Sequence, residues 1–211
     1  MPRPLLPNRR GRILDAAEDL VLERGFDATS VAAVAERAGI GKGAVYLEFG
    51  SKRDILDALL LRGTERMRAR LAEELGEHPP LGEAYRASVR VLLEDRLMTA
   101  AFLDDRGVLG SHVDTVADGR YRSRHAGVVA WLRELQRRGG LEADIDPEHL
   151  ALALSSATIG LLSAGRILGP LDASQLRGVI DALGRMAETF EPPTTSHRTE
   201  NDGHAPEHSR R

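Results

Sequence analysis

The stretch Gly39–Lys52, GIGKGAVYLEFGSK, decides how this chain is read. It carries four glycines and both lysines of the protein, whose other basic residues are all arginines. Just upstream, Val31, Val34, Ala35 and Ala38 recur at helical spacing behind Thr29 and Ser30, either of which can cap the helix. Gly39 stops that helix after about two turns. A second short helix starts at Gly41 or Lys42 and reaches Phe49. Two short helices joined by a tight glycine turn, with a small residue such as Ala35 at their crossing, make a helix-turn-helix. Ile40, Val45 and Phe49 plug its underside, which turns Lys42, Gly43, Ala44, Tyr46 and Leu47 outward.

That outward face suits the groove of a polyanion. Small residues let a helix sink into a major groove, and Lys42 reaches a phosphate or a guanine edge. The Tyr46 hydroxyl can donate to phosphate while its ring buttresses the helix. Lys52, where the next helix begins, sets a cation beside exposed backbone N–H groups. Thr29 is a helix cap worth about 1 kcal/mol or a phosphate contact, and both readings stand. Arg9, Arg10 and Arg12 are either a solvated first turn or an arm reaching toward DNA.

Working outward, every segment reads as helix, with no period-2 strand and no internal repeat. Ile13, Ala16, Ala17, Leu20 and Val21 form the stripe of a first helix that Gly25 ends. A long helix follows the SK pair, from about Lys52 to Leu75, and GEHPPLG terminates it. Further helices are expected near 81–98, 100–109 and 111–138. Asp146 and Pro147 start the next as N-cap and first helical residue. Leu150–Gly165 has no charged residue, is too short for a bilayer, and should be buried on all sides. Asp172 opens the last helix, whose stripe ends at Phe190.

Composition narrows the function. Apolar residues make up 42% and charged residues 29% of the 211, as in ordinary globular proteins. With no cysteine, disulfides, thiolate metal sites and cysteine nucleophiles are excluded. The net charge is −3, yet residues 1–53 carry nine basic against seven acidic groups, a slightly basic head on an acidic body. MPRPLLPNRRGR has no apolar signal core, which gives a cytoplasmic expectation. His78, His112, His125 and His149 lack metal-ligand spacing, and no nucleophile elbow, P-loop or zincin motif occurs. Neither an enzyme, a cofactor nor a metal is expected.

The block Arg12–Leu56, RILDAAEDLVLERGFDATSVAAVAERAGIGKGAVYLEFGSKRDIL, resembles the DNA-binding domain of TetR-family transcriptional regulators. The likeness is continuous over these 45 residues and includes the turn glycine, the VY..F element and the SK pair. It implies an all-α protein of about nine helices: a three-helix DNA-binding domain, then a helical ligand-binding and dimerisation domain. The expected bounds are a flexible arm over 1–8, the helix-turn-helix domain over 9–53, the body over 54–190 and a disordered tail over 191–211. It also implies DNA contacts from Thr29, Lys42, Gly43, Ala44, Tyr46, Leu47 and Lys52, and a homodimer through helices near 147–169 and 172–190. Two positions depart from the family pattern. Glu48 stands where His or Tyr is usual, so it turns away from phosphate or accepts from a cytosine amino group, and Gly41 replaces the usual turn serine.

The resemblance implies a one-component regulator, a repressor that binds a palindromic double-stranded operator and is released by a small-molecule effector. An effector-independent regulator or activator of the same fold is the alternative. For the effector pocket the candidates are Met67, Tyr85, Met98, Phe102, Tyr121, Arg124 and His125; Met67, Tyr85, Met98 and Phe102 suit a plain core better, and a salt bridge to Asp104, Asp105 or Asp118 suits Arg124 and His125 better. Arg166, after the uncharged run, fits a pocket floor, a dimer seam or solvent.

Overall fold

The computed structural model describes residues 8–115 and 120–193, and all regular structure among them is helical. The expected arm over 1–8 and the expected tail over 191–211 lie mostly outside the described residues. Ten α-helices run in order: α1 (Arg9–Arg24), α2 (Val31–Ala38), α3 (Lys42–Tyr46), α4 (Lys52–Leu75), α5 (Leu81–Glu94), α6 (Arg96–Phe102), α7 (Arg106–Leu109), α8 (Arg120–Arg137), α9 (Pro147–Ile167) and α10 (Ala173–Glu188). A 3₁₀ segment, Gly110–Thr115, follows α7.

Local chemistry sets these bounds. Ser30, not Thr29, caps α2, its hydroxyl accepting from the Ala33 amide. Gly39 adopts φ 65° at the other end, a conformation that favours glycine, and its amide bonds back into the last turn. Ser51 caps α4 through the Asp54 amide, and Asp172 closes a capping box with Gln175 at α10. The start of α5 has no local side-chain cap; Glu191, just beyond α10, accepts instead from the Gly82 amide at 2.8 Å.

The middle of the chain is more broken than its periodicity suggests. A helix expected over 81–98 ends at Glu94, because the Asp95 carboxylate accepts from the Met98 amide and starts α6. Asp104 takes φ 50° and Asp105 caps α7, which divides the segment expected over 100–109. The long helix expected over 111–138 is a 3₁₀ turn followed by α8, with Gly110 at φ 53° opening the turn. Capping acids outweigh apolar spacing here, so the count rises to ten among the described residues.

Two apolar clusters form the interior. One runs from α1–α3 through Ile55, Leu56 and Leu59 of α4 to Leu97 and Met98 of α6, so head and body share a core. The other joins α5, α8, α9 and α10 around Leu81, Val89, Leu132, Ala151 and Ala187. Helices α5 and α10 cross closely at two glycines: a Cβ on Gly82 would lie 2.8 Å from the Gly184 carbonyl oxygen. The uncharged run of α9 is not buried on all sides within the chain. Leu152 is 60% and Ile159 46% exposed, which leaves one apolar face of α9 without cover from its own protomer.

Candidate nucleic-acid interface and its link to the body

The α2–α3 unit places its side chains as the spacing predicts. Val45 and Phe49 are buried beneath α3 and Ile40 is half-buried. Above them Lys42 and Gly43 are exposed, Ala44 is half-buried, and Tyr46 and Leu47 are 49% and 77% exposed. A Cβ at Gly41 or Gly43 would meet nothing within 4 Å. Packing within the chain therefore does not require glycine at either position. Gly43, inside α3, costs helix stability, and what both provide is bare backbone on the outer surface. Lys42 makes no ion pair among the described residues, and its Nζ lies 5.9 Å from the Tyr46 ring centre.

The arginines before this unit act as clamps. Arg9 Nε donates to the Glu48 carboxylate at 2.8 Å, and Arg10 stacks 4.2 Å over the Phe49 ring while donating to the Glu48 carbonyl. Arg12 donates to the Ala38 carbonyl at 2.6 Å, completing the end of α2. Glu48 is thus turned onto α1, the first of its two expected orientations. The whole first turn of α1 is engaged with the helix-turn-helix and is neither merely solvated nor extended from it.

Two expected contact residues face inward. Thr29 is buried, and its hydroxyl donates to the Gly25 carbonyl at 2.9 Å. Lys52 lays its ammonium 4.1 Å over the Phe26 ring and donates to the Phe26 carbonyl at 2.9 Å. Both hold the turn between α1 and α2. The sequence offered no sign of this, since it depends on where Phe26 lands.

That same turn is fastened to the body. The Phe26 amide donates to the Val108 carbonyl at 2.8 Å. The Asp27 carboxylate accepts from both the amide and the hydroxyl of Ser111, at 2.9 and 2.7 Å. These bonds, with Lys52 nearby, hold the Asp27 carboxyl below its ordinary pKa. His112 is buried edge-on against Phe26 and sits 3.3 Å from Asp57 of α4. Gly25 and Gly110, both at positive φ, permit the close approach: a Cβ on Gly25 would lie 2.5 Å from the Gly107 carbonyl oxygen. Helix α4 is the only covalent route from head to body, but this latch is a second physical one. A chain of ion pairs runs beside it, with Arg62 joined to Asp15 and Glu18, and Arg66 joined to Glu18 and the buried Asp95.

The effector candidates fall in two places: Met67, Met98, Phe102 and Arg124 gather at the head-side cluster, and Tyr85 lies apart from them. Met67 and Phe102 pack against the head-side cluster and Met98 lies within it. Arg124 rests 5.0 Å over the Phe102 ring. His125 is half-buried on α8, and the side chains of Tyr121 and Arg166 lie outside those described. Tyr85 belongs to the other cluster, where its hydroxyl meets Thr158 Oγ1 at 3.0 Å and the Leu154 carbonyl at 3.2 Å. Burial raises its pKa, partly offset by the Thr158 bond. Tyr85 borders an apolar hollow of about 120 Å³. From α9 come Leu150, Ala153, Leu154 and Ala157, and the α10 side supplies Leu183, Met186, Ala187 and Phe190. The uncharged run was its one signal in the sequence.

Residues 13–59 match the family described as "Bacterial regulatory proteins, tetR family". The chain is 30% identical over 183 residues to the probable HTH-type transcriptional regulator ArpR of Pseudomonas putida, spanning 82% of this chain and 86% of that protein. The chain belongs to the TetR family of transcriptional regulators. Its fold agrees with solved structures across nearly their whole length. GusR of Salmonella enterica superposes with a TM-score of 0.63 at 26% identity, covering 89% of this chain and 100% of its own. The transcriptional regulator FadR of Bacillus subtilis, solved in complex with stearoyl-CoA, superposes at 0.65 with 16% identity, covering 86% and 98%. The family match thus covers the α1–α3 unit and the first turns of α4. No described helix is long and apolar enough to cross a membrane.

Proposed function

We propose that this TetR-family regulator is a cytoplasmic, non-enzymatic repressor that binds a palindromic operator as a homodimer and is released by a small-molecule effector. The observation that carries the DNA reading is the outer face of α3, where glycines without a packing role adjoin an exposed lysine, tyrosine and leucine. Lys42, Gly43, Ala44, Tyr46 and Leu47 meet the major groove, and Thr29 and Lys52 set the pose of the unit from behind. Twofold symmetry spaces two such helices about 34–36 Å apart, one turn of DNA. Dimerisation uses the uncovered face of α9 and α10, on which Leu152, Ile159, Val179 and Met186 are exposed.

Effector binding in the body shifts the spacing of the heads, provided the ligand prefers the spacing that does not fit the operator. Support for ligand response comes from the family and from FadR, whose structure holds an acyl-CoA. The test is an anisotropy titration on the duplex upstream of the protein's own gene, with a scrambled duplex beside it. Lys42→Ala should cost about 1–3 kcal/mol and relax sequence preference if Lys42 reads guanine; if it reads phosphate, it should lower the salt slope by about one. Equal binding of both duplexes by wild type and Lys42→Ala alike would refute the assignment of this face.

A further inference from the structure

The hollow between α5, α9 and α10 has a chemistry that selects its occupant. Its walls are hydrocarbon apart from one thioether and one phenol. The phenol is already satisfied, since Tyr85 bonds to Thr158 and to the Leu154 carbonyl, while Thr158 donates to that carbonyl at 3.0 Å. Burial also keeps it un-ionised. Water occupies roughly 30 Å³ per molecule and needs two to four polar partners. The hollow, about 120 Å³ in volume, has room for several waters and offers them almost no free partner. A charged ligand would lose its hydration with nothing in return.

We propose that this hollow is a binding site for a small uncharged hydrocarbon and that the effector acts there. Size is of the same order, since an apolar cavity near 150 Å³ holds benzene and this hollow measures about 120 Å³. The hollow opens beside Met186, 62% exposed, and Ala153, also exposed, so its mouth lies on the uncovered α9–α10 face. The effector role rests on the homodimer and release reading above, in which a second copy covers this mouth and excludes water. A molecule lodged there sits at once against the dimer seam and against α5. The far end of α5 is the Asp95 joint, where Arg66 of α4 is bound and Met98 lies against Gly63 of α4. Displacing α5 from α10 therefore bears on both the protomer angle and the helix that enters the head.

The test uses the full-length dimer, with benzene as probe and benzoate as its charged counterpart. Saturation-transfer NMR and thermal melting should show saturable benzene binding that raises the melting temperature, and no response to benzoate at the same concentration. Ala157→Leu, which fills the hollow, should abolish the benzene response; if that variant does not fold, Ala153→Leu fills it from the next turn. Saturating benzene should weaken operator binding by about 10-fold, within the usual range of allosteric coupling. Equal benzene signals in wild type and the filled variant, or benzoate binding as well as benzene, would overturn the site. Benzene binding with unchanged operator affinity would overturn its role as effector site. The ligand-free operator titration reads the DNA function separately, so its failure is distinguishable from either result.

Discussion

At the scale of single residues, glycine and arginine carry most of the meaning. Gly43 sits inside α3, where an added methyl would touch nothing in the chain. Gly43→Ala should therefore stabilise the fold by roughly 0.5–1 kcal/mol through helix propensity. The same methyl stands where backbone is proposed to approach DNA, so operator affinity should fall. Denaturant unfolding and anisotropy on one preparation would show the two effects in opposite directions; unchanged affinity would mean that bare backbone there is not used. The outward set on α3 was legible in the sequence because a helix fixes direction once its buried positions are known. Glu48 and Lys52 were not, because their orientation depends on Arg9 and Phe26, 39 and 26 positions away. Periodicity describes an element's faces and not which long side chain crosses to another element.

At the scale of elements, two contacts set how the parts sit together. The latch of Asp27 on Ser111 holds the α1–α2 turn against the 3₁₀ segment. The Asp27 carboxyl lies below its ordinary 3.8, chiefly through the two Ser111 bonds, with the Lys52 charge adding to them. A depressed carboxyl stabilises the folded state fully above its unfolded value and loses that contribution as pH falls through the lowered one. The melting-temperature difference between wild type and Asp27→Asn should be constant above about pH 5 and shrink below 3.8. A pH-independent difference would mean that ionisation of Asp27 does not hold the latch. The α5–α10 crossing makes a sharper case. At Gly82 a methyl meets Glu188 Cγ and the Gly184 carbonyl oxygen, which is backbone, whereas at Gly184 its nearest neighbours are Arg86 side-chain atoms. Gly82→Ala should cost about 1–3 kcal/mol as overpacking. Gly184→Ala should cost less, because a side chain and not backbone gives way and helix propensity offsets part of the loss. Equal losses in thermal unfolding would show that the crossing relaxes freely. The helices themselves could be read from caps and stripes, yet neither the crossing nor the latch could, since each joins segments about 84 to 102 residues apart.

At the scale of the molecule, the unexplained quantity is exposed hydrocarbon. A run with no charge over Leu150–Gly165 reads as a buried helix, but the single chain covers only part of it. Leu152 and Ile159 lie seven residues apart, two helical turns, and so share one face of α9. Contiguous apolar surface of this kind marks an interaction site in soluble proteins. If a second copy covers it, charges placed there act on assembly and not on folding. Each of Leu152→Glu and Ile159→Glu leaves the chain's own core untouched, so circular dichroism should show native helix content. Sedimentation should show monomers, because two like charges would face each other across a twofold seam or lie desolvated within it. Operator affinity should fall as well, since one head gains only half the contacts and loses the effective concentration supplied by its mate. A double variant that stays dimeric with full operator affinity would place the seam on another surface. The hollow beside Met186 would then open to solvent in the dimer, and its ligand would have to act through α5 alone.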